Sequence, residues 1–143
     1  MMRYILYIFL AFALLFSVGY LLSIEDWTRT IDVVRNADEL QVFTVDKTGD
    51  GLEGRVIYST QSPKEISEFA SAMELKKTVA ITHKGLIGLP LIKVLKNGQV
   101  VLQISSHNYQ KLSSDECKLD GILKDPQAWR NWFEKRIPEL KKK

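Results

Sequence analysis

The hydrophobic pattern of this chain divides it into two unequal parts. From Tyr4 to Ile24 every residue is uncharged and most are apolar, whereas short polar and apolar blocks alternate from Glu25 onward. As an α-helix the first part is about 30 Å long, which matches the hydrocarbon core of a bilayer. The pattern predicts an N-terminal membrane anchor over 1–24 and a single small α+β domain over 25–143.

The anchor is expected to stay uncleaved. The apolar core of a secretory signal peptide has only about 7–15 residues, and this run is longer. Cleavage near Ser17–Gly19 is the alternative. Arg3 lies close to the run, whereas Arg29 lies farther from it, so the positive-inside rule favours a cytoplasmic N terminus and a periplasmic or extracellular domain. Residues that mark the anchor along its length are Tyr4, Phe9, Leu15, Tyr20 and Ile24.

The segment just after the run has two interpretations. Ile31–Val34 is short and β-branched, which favours a strand with Ile31 and Val33 on one face. A helix is the alternative, because Trp27, Ile31 and Val34 are spaced at i, i+4 and i+7. We take the strand as the prediction.

Hairpins and capped helices account for the rest of the pattern. Asn97-Gly98 between two apolar runs predicts a tight hairpin, and Asp46–Gly51 supplies the turn residues of another. Ser62-Pro63 and Asp125-Pro126 are helix starts with an N-cap followed by proline. The predicted strands are 40–45, 55–59, 78–82, 90–95 and 99–104. These elements predict an α+β fold: an N-terminal transmembrane helix, then a mainly antiparallel sheet with two helices packed on one face.

Composition excludes several classes of site. The chain of 143 residues has one cysteine, Cys117, so a disulfide framework and a multi-cysteine zinc site are both excluded. A large basic stripe with interleaved aromatics is absent, so nucleic-acid binding is not expected. No phosphate-binding glycine motif is present, and we expect no cofactor. The Lys141–Lys143 tail predicts either a solvated end or a contact with anionic lipid headgroups.

One loop has a partial likeness to a calcium site. Oxygen donors recur at Asp46, Thr48 and Asp50, as at the start of a calcium-binding loop. The twelfth position of such a loop needs a bidentate glutamate and is Ile57 here. We therefore expect a hairpin tip and no metal, and a weak calcium site of the extracellular type is the alternative.

A second polar cluster follows the last clear strand. It contains the residues that we take as candidate binding residues, which are Ser106, His107, Asn108 and Tyr109. Because nucleophilic catalysis needs a serine activated by an oriented base, and no such motif surrounds His107, we assign no catalytic residue.

The function expected from these features is tethered recognition. A single-pass anchor with a small domain and no catalytic motif favours a protein-binding module of the cell envelope, either an accessory subunit or an immunity or inhibitor protein. Two alternatives remain open: a small envelope hydrolase that uses His107, and a module that binds lipid surfaces through Lys141–Lys143.

Overall fold

A long N-terminal helix leads directly into an antiparallel sheet that shorter helices cover. The computed structural model describes residues 2–48, 51–80, 90–117 and 119–142. The helices of these residues are α1 (Met2–Arg35), α2 (Pro63–Ala72), α3 (Pro126–Arg136) and a C-terminal 3₁₀ helix (Pro138–Lys142). Their strands are β1 (Glu39–Thr48), β2 (Gly51–Thr60), β3 (Leu75–Ala80), β4 (Leu91–Lys96), β5 (Gln99–His107), β6 (Lys111–Ser114) and β7 (Leu119–Leu123).

The strands within the described residues form one sheet in the order β2-β1-β4-β5-β6-β7-β3. Every neighbouring pair is antiparallel, so the predicted α+β class with an antiparallel sheet is confirmed. The β4–β5 hairpin turns at Asn97 and Gly98, whose φ angles are 51° and 75°. Positive φ at both residues is the geometry of a type I′ turn, as the Asn-Gly pair predicts.

Three local predictions need correction. The tip expected over Asp46–Gly51 is shorter, because β1 continues to Thr48 and β2 begins at Gly51. Helix α2 ends at Ala72, and β3 begins at Leu75, earlier than the strand predicted over 78–82. Two short strands, β6 and β7, were not expected. They have four and five residues, too few for a clear alternation of polar and apolar positions.

Both shorter helices begin at the predicted caps. Ser62 accepts a hydrogen bond from the backbone N–H of Glu65, and Asp125 accepts one from Ala128 at 2.9 Å. Aromatic rings from the two helices then meet over the sheet, with the ring centroid of Phe69 4.9 Å from that of Trp129 and 4.8 Å from that of Trp132. This cluster forms the centre of the core.

The strand predicted at Ile31–Val34 is wrong, because helix α1 continues without a break to Arg35. Trp27 and Val34 lie in the hydrophobic core, and the Trp27 indole N–H donates to the Leu119 carbonyl at 2.9 Å. Helical spacing of the core residues and extension of an existing helix both favour this outcome over the weak strand propensity of β-branched residues.

Helix α1 therefore has two parts with opposite environments. Residues 5–22 are exposed, whereas Trp27, Thr30 and Val34 are buried against the domain. Among the described residues, this is the one helix long and apolar enough to cross a membrane, with a mean hydropathy of 2.5 in its most apolar window.

If the end of α1 is part of the core, truncating Trp27 must destabilise the whole domain. Trp27 is 2% exposed, and Trp27→Ala is expected to lower the free energy of unfolding by about 3–5 kcal/mol. Phe16→Ala is the control, because Phe16 is 77% exposed. Thermal unfolding of the full chain in detergent, followed by near-UV circular dichroism, makes the comparison. Equal melting temperatures for the two variants would contradict this role of α1.

Candidate functional site

The candidate binding residues are divided between the two faces of the sheet. Consecutive residues of a strand point to opposite faces, and Ser106 and His107 are neighbours in β5. Ser106 is buried beneath the helices, where its Oγ accepts the indole N–H of Trp129 at 2.9 Å. Ser106 therefore takes part in the packing of α3 and does not lie beside His107.

Asn108 and Tyr109 form the turn after β5. Both have positive φ, 51° and 56°. Tyr109 packs towards the helices, with its ring 5.9 Å from that of Phe133 and the Arg130 guanidinium 5.8 Å from its centroid. Burial raises the pKa of Tyr109, whereas Asn108 is exposed. The four predicted residues thus do not form one site.

His107 instead belongs to a polar cluster on the face of the sheet that α3 does not cover. Its Nε2 lies 3.1 Å from the Ser113 Oγ, and the Ser113 hydroxyl donates to Asp120 Oδ1 at 2.6 Å. Ser105 is paired with Ser113 in the β5–β6 register, and its buried Oγ has no hydrogen-bond partner among the described residues. The cluster joins three adjacent strands through side chains.

The order of these hydrogen bonds limits their chemistry. The single hydroxyl proton of Ser113 goes to Asp120, so the oxygen of Ser113 accepts from His107 Nε2–H. A nucleophilic serine has the reverse arrangement, in which the hydroxyl donates to a histidine that the carboxylate orients. Ser113 is also only 8% exposed. The observed geometry aligns strands and fixes the ring of His107, without the hydrogen bond that would activate a serine.

Ser113 and Asp120 are absent from the candidates drawn from the sequence because their strands were not predicted. The available signal was weak. Asp120 stands between apolar residues in Leu119–Leu123, which is compatible with a strand that has one polar face. Only the pairing of β5 with β6, and of β6 with β7, brings these residues to His107.

A separate cluster of charged side chains links α2 to α3 through ion pairs. The side chain of Arg136 is 8% exposed, pairs with Glu68 through Nη2, and has its Nε 3.5 Å from Glu65 Oε1. Its guanidinium also lies 4.6 Å from the Trp132 ring centroid. The hydroxyl of Tyr58 donates to Glu65.

The contacts of Glu65 shift the pKa values of both partners. The pKa of Glu65 lies below its ordinary value, chiefly because Tyr58 donates to the carboxylate, with a smaller contribution from Arg136. Burial raises the pKa of Tyr58, and the same hydrogen bond adds to this shift. The cluster is thus stable with Glu65 ionised and Tyr58 protonated, a state suited to holding two helices together.

The suggested calcium ligands are only partly described. Asp46 and Thr48 lie in β1, opposite Glu53 and Gly51 of β2, and Asp50 lies outside the described residues. In the part of the chain that the structure describes, no group of three His, Cys, Asp or Glu side chains is placed to hold a metal ion.

The single cysteine is a core residue. Cys117 is buried, and its Sγ lies 3.2 Å from the Oγ1 of Thr30 on α1. Burial raises the pKa of the thiol, which lowers its thiolate fraction and its reactivity. Its contact with Thr30 makes it part of the junction between α1 and the domain.

Comparison with known proteins adds no functional information. No family model matches the chain, and neither a curated protein nor a solved structure matches it significantly. The class that the fold defines is an α+β domain with a long apolar N-terminal helix.

If Ser106 stabilises the fold by accepting the indole N–H of Trp129, substitutions of the two residues must be energetically coupled. Ser106→Ala leaves a buried indole N–H unpaired and is expected to lower the free energy of unfolding by about 1–3 kcal/mol. Trp129→Phe removes the same donor, so the effects of the two substitutions will not add in the double variant. The pair Ser113→Ala and Trp129→Phe is the control, because Ser113 bonds on the other face. Additivity in both cycles, measured by denaturant unfolding, would refute the coupling.

The lowered pKa of Glu65 predicts a pH dependence of stability. A depressed folded-state pKa contributes stability above the ordinary glutamate pKa, and this contribution is lost as the pH falls through the lowered value. Glu65→Gln should reduce the loss of unfolding free energy at acid pH. The reduction is no more than about 1 kcal/mol, because the group is partly exposed. Tyr58→Phe should reduce that loss as well, since it removes the main donor. Unchanged melting-temperature profiles between pH 3 and pH 7 in both variants would contradict this assignment.

Proposed function

We propose that this chain is a single-pass membrane protein whose α+β domain binds another protein on the non-cytoplasmic side of the membrane. In this proposal, the chain acts either as an accessory subunit or as an immunity-type inhibitor of the protein that it binds. The observation that carries the proposal is the long edge of β2, which pairs with no second described strand and offers a template for an added strand.

Membrane insertion is supported by the exposed part of α1. Residues 5–22 are exposed and uncharged, and apolar side chains lie on every side of the helix. A soluble helix normally has a polar face, whereas a helix in lipid needs none. The tether confines the domain close to the membrane, which raises its effective concentration towards other membrane proteins.

The edge of β2 is the best surface for a partner among the described strands. β2 has ten residues, contains neither lysine nor proline, and pairs on one side only, with β1. A bulge opposite Val42/Phe43 divides β2 into two regular stretches, and Gly51–Val56 is the longer one. Val56 is 44% exposed. An open strand edge binds an extended segment through backbone hydrogen bonds, and neighbouring side chains add specificity.

The opposite edge of the sheet is less suitable. β3 has six residues, carries Lys76 and Lys77, and has a bulge between Leu75 and Lys77. Short length and lysines protect strand edges from unwanted pairing, and β2 has neither, whereas a bulge is common to both edges. The asymmetry between β2 and β3 therefore favours β2 as the recognition edge.

Site-specific photocross-linking in intact cells tests this proposal. A photoreactive residue at Arg55 or Val56 of the full chain is expected to give one discrete adduct, whereas exposed positions Gln127 and Lys135 on α3 give none. Val56→Lys places a charge on the edge and should abolish the adduct from Arg55. Val56→Ile is the matched control and should retain it.

The outcomes separate the parts of the proposal. Equal adducts from β2 and α3, or none from β2, would reject this edge as the recognition surface. Mass spectrometry of the adduct then identifies the partner and its compartment. A partner confined to the cytoplasm would reverse the proposed orientation while leaving the binding role intact.

A further inference from the structure

A groove runs between α1 and the edge strand β3. Its volume is about 240 Å³. Aromatic and aliphatic side chains from α1 form one wall, and the start of β3 with Lys124 forms the other. The lining residues that matter here are Tyr20, Trp27, Leu75, Lys76, Lys77 and Lys124.

The groove lies at the end of the apolar run. Tyr20 precedes Ile24 by about 6 Å along the helix axis, and Trp27 follows it by about 4.5 Å, at a rise of 1.5 Å per residue. Because the run from Tyr4 to Ile24 matches the thickness of the hydrocarbon core, the groove lies across the boundary between that core and the headgroups when α1 is inserted. Tyr20 suits this position because tyrosine is enriched at membrane interfaces, whereas Trp27 is buried in the domain.

The charge of the groove is mainly positive. Lys76 and Lys77 are exposed, and both line it, although neighbours in a regular strand point to opposite faces. The bulge between Leu75 and Lys77 breaks that alternation. Lys124 is held 3.0 Å from Glu74, which is the one acidic residue of the lining.

We propose that this groove binds the phosphate of an anionic lipid headgroup in the bilayer that α1 enters. The inference rests on the proposed membrane insertion of α1, and it assigns the ligand through charge complementarity. Ammonium groups on the domain side of the span attract anionic lipids, and the attraction weakens with added salt.

The C-terminal lysines are a poorer candidate for this role. The 3₁₀ helix that precedes Lys143 is placed near β2 by the 3.9 Å contact between Arg55 and Glu139. β2 and β3 are opposite edges of the sheet formed by the described strands. The 3₁₀ helix therefore lies across the sheet from the groove, at the opposite edge.

Amine labelling of the full chain in lipid nanodiscs tests the inference. One set of discs contains only phosphatidylcholine, and the other contains equal parts of phosphatidylcholine and phosphatidylglycerol. Acetylation rates read by mass spectrometry are expected to fall about threefold to fivefold at Lys76 and Lys77 in the anionic discs, and to recover in high salt. Lys64 and Lys135, on α2 and α3, are internal controls whose rates should not change.

A matched pair of variants gives a second measurement. Lys76→Gln with Lys77→Gln should abolish the rise in melting temperature between neutral and anionic discs. Lys64→Gln with Lys135→Gln removes the same charge and should retain that rise. An equal response of both double variants would overturn the groove as the lipid site.

The remaining outcomes separate this inference from the proposed function. A chain that fails to enter discs would overturn both, whereas a chain that enters them without protection of Lys76 and Lys77 would overturn only the lipid site. Inorganic phosphate added to neutral discs is the third arm. Equal protection by free phosphate would reject a lipid headgroup in favour of a soluble phosphate ligand.

Discussion

The insertion of the last turns of α1 into the core is the interaction on which the rest of the structure depends. Trp27 fills the core and is also hydrogen-bonded to the Leu119 carbonyl at the start of β7. One turn later, Thr30 meets Cys117. A helix that is exposed and apolar at one end and packed at the other leaves no flexible joint between them. The position of the domain relative to the apolar run is therefore set by side-chain packing.

The sheet divides the chemistry of the domain between its two faces. On the helix side, aromatic rings and a buried Ser106–Trp129 hydrogen bond give a rigid core. On the other side, the His107–Ser113–Asp120 chain joins three strands through polar groups. The hydrogen bonds between His107, Ser113 and Asp120 are consistent with a role for these three residues in strand alignment.

Features that depend on interactions local in the sequence were predicted correctly, whereas features that depend on contacts between distant residues were not. Caps at Ser62 and Asp125 and the Asn97-Gly98 turn are local signals, and each was predicted correctly. The strand at Ile31–Val34 was wrong because packing against distant residues decided its conformation. Ser106 and His107 are adjacent in sequence and were grouped together, although strand geometry separates them. Ser113 and Asp120 reach His107 only through strand pairing, which local patterns did not reveal.

The two lysines of β3 bear on both the proposed membrane contact and the proposed partner surface. At a strand edge they oppose pairing with another chain, and beside α1 they add positive charge at the end of the apolar run. Both effects follow from the position of β3, because the edge next to α1 is also the edge nearest to an inserted span. A partner that adds a strand then has β2 as the favourable edge among the described strands. That edge lies on the side of the sheet away from β3, so in the proposed membrane-inserted state an approaching protein would meet less obstruction from the bilayer there.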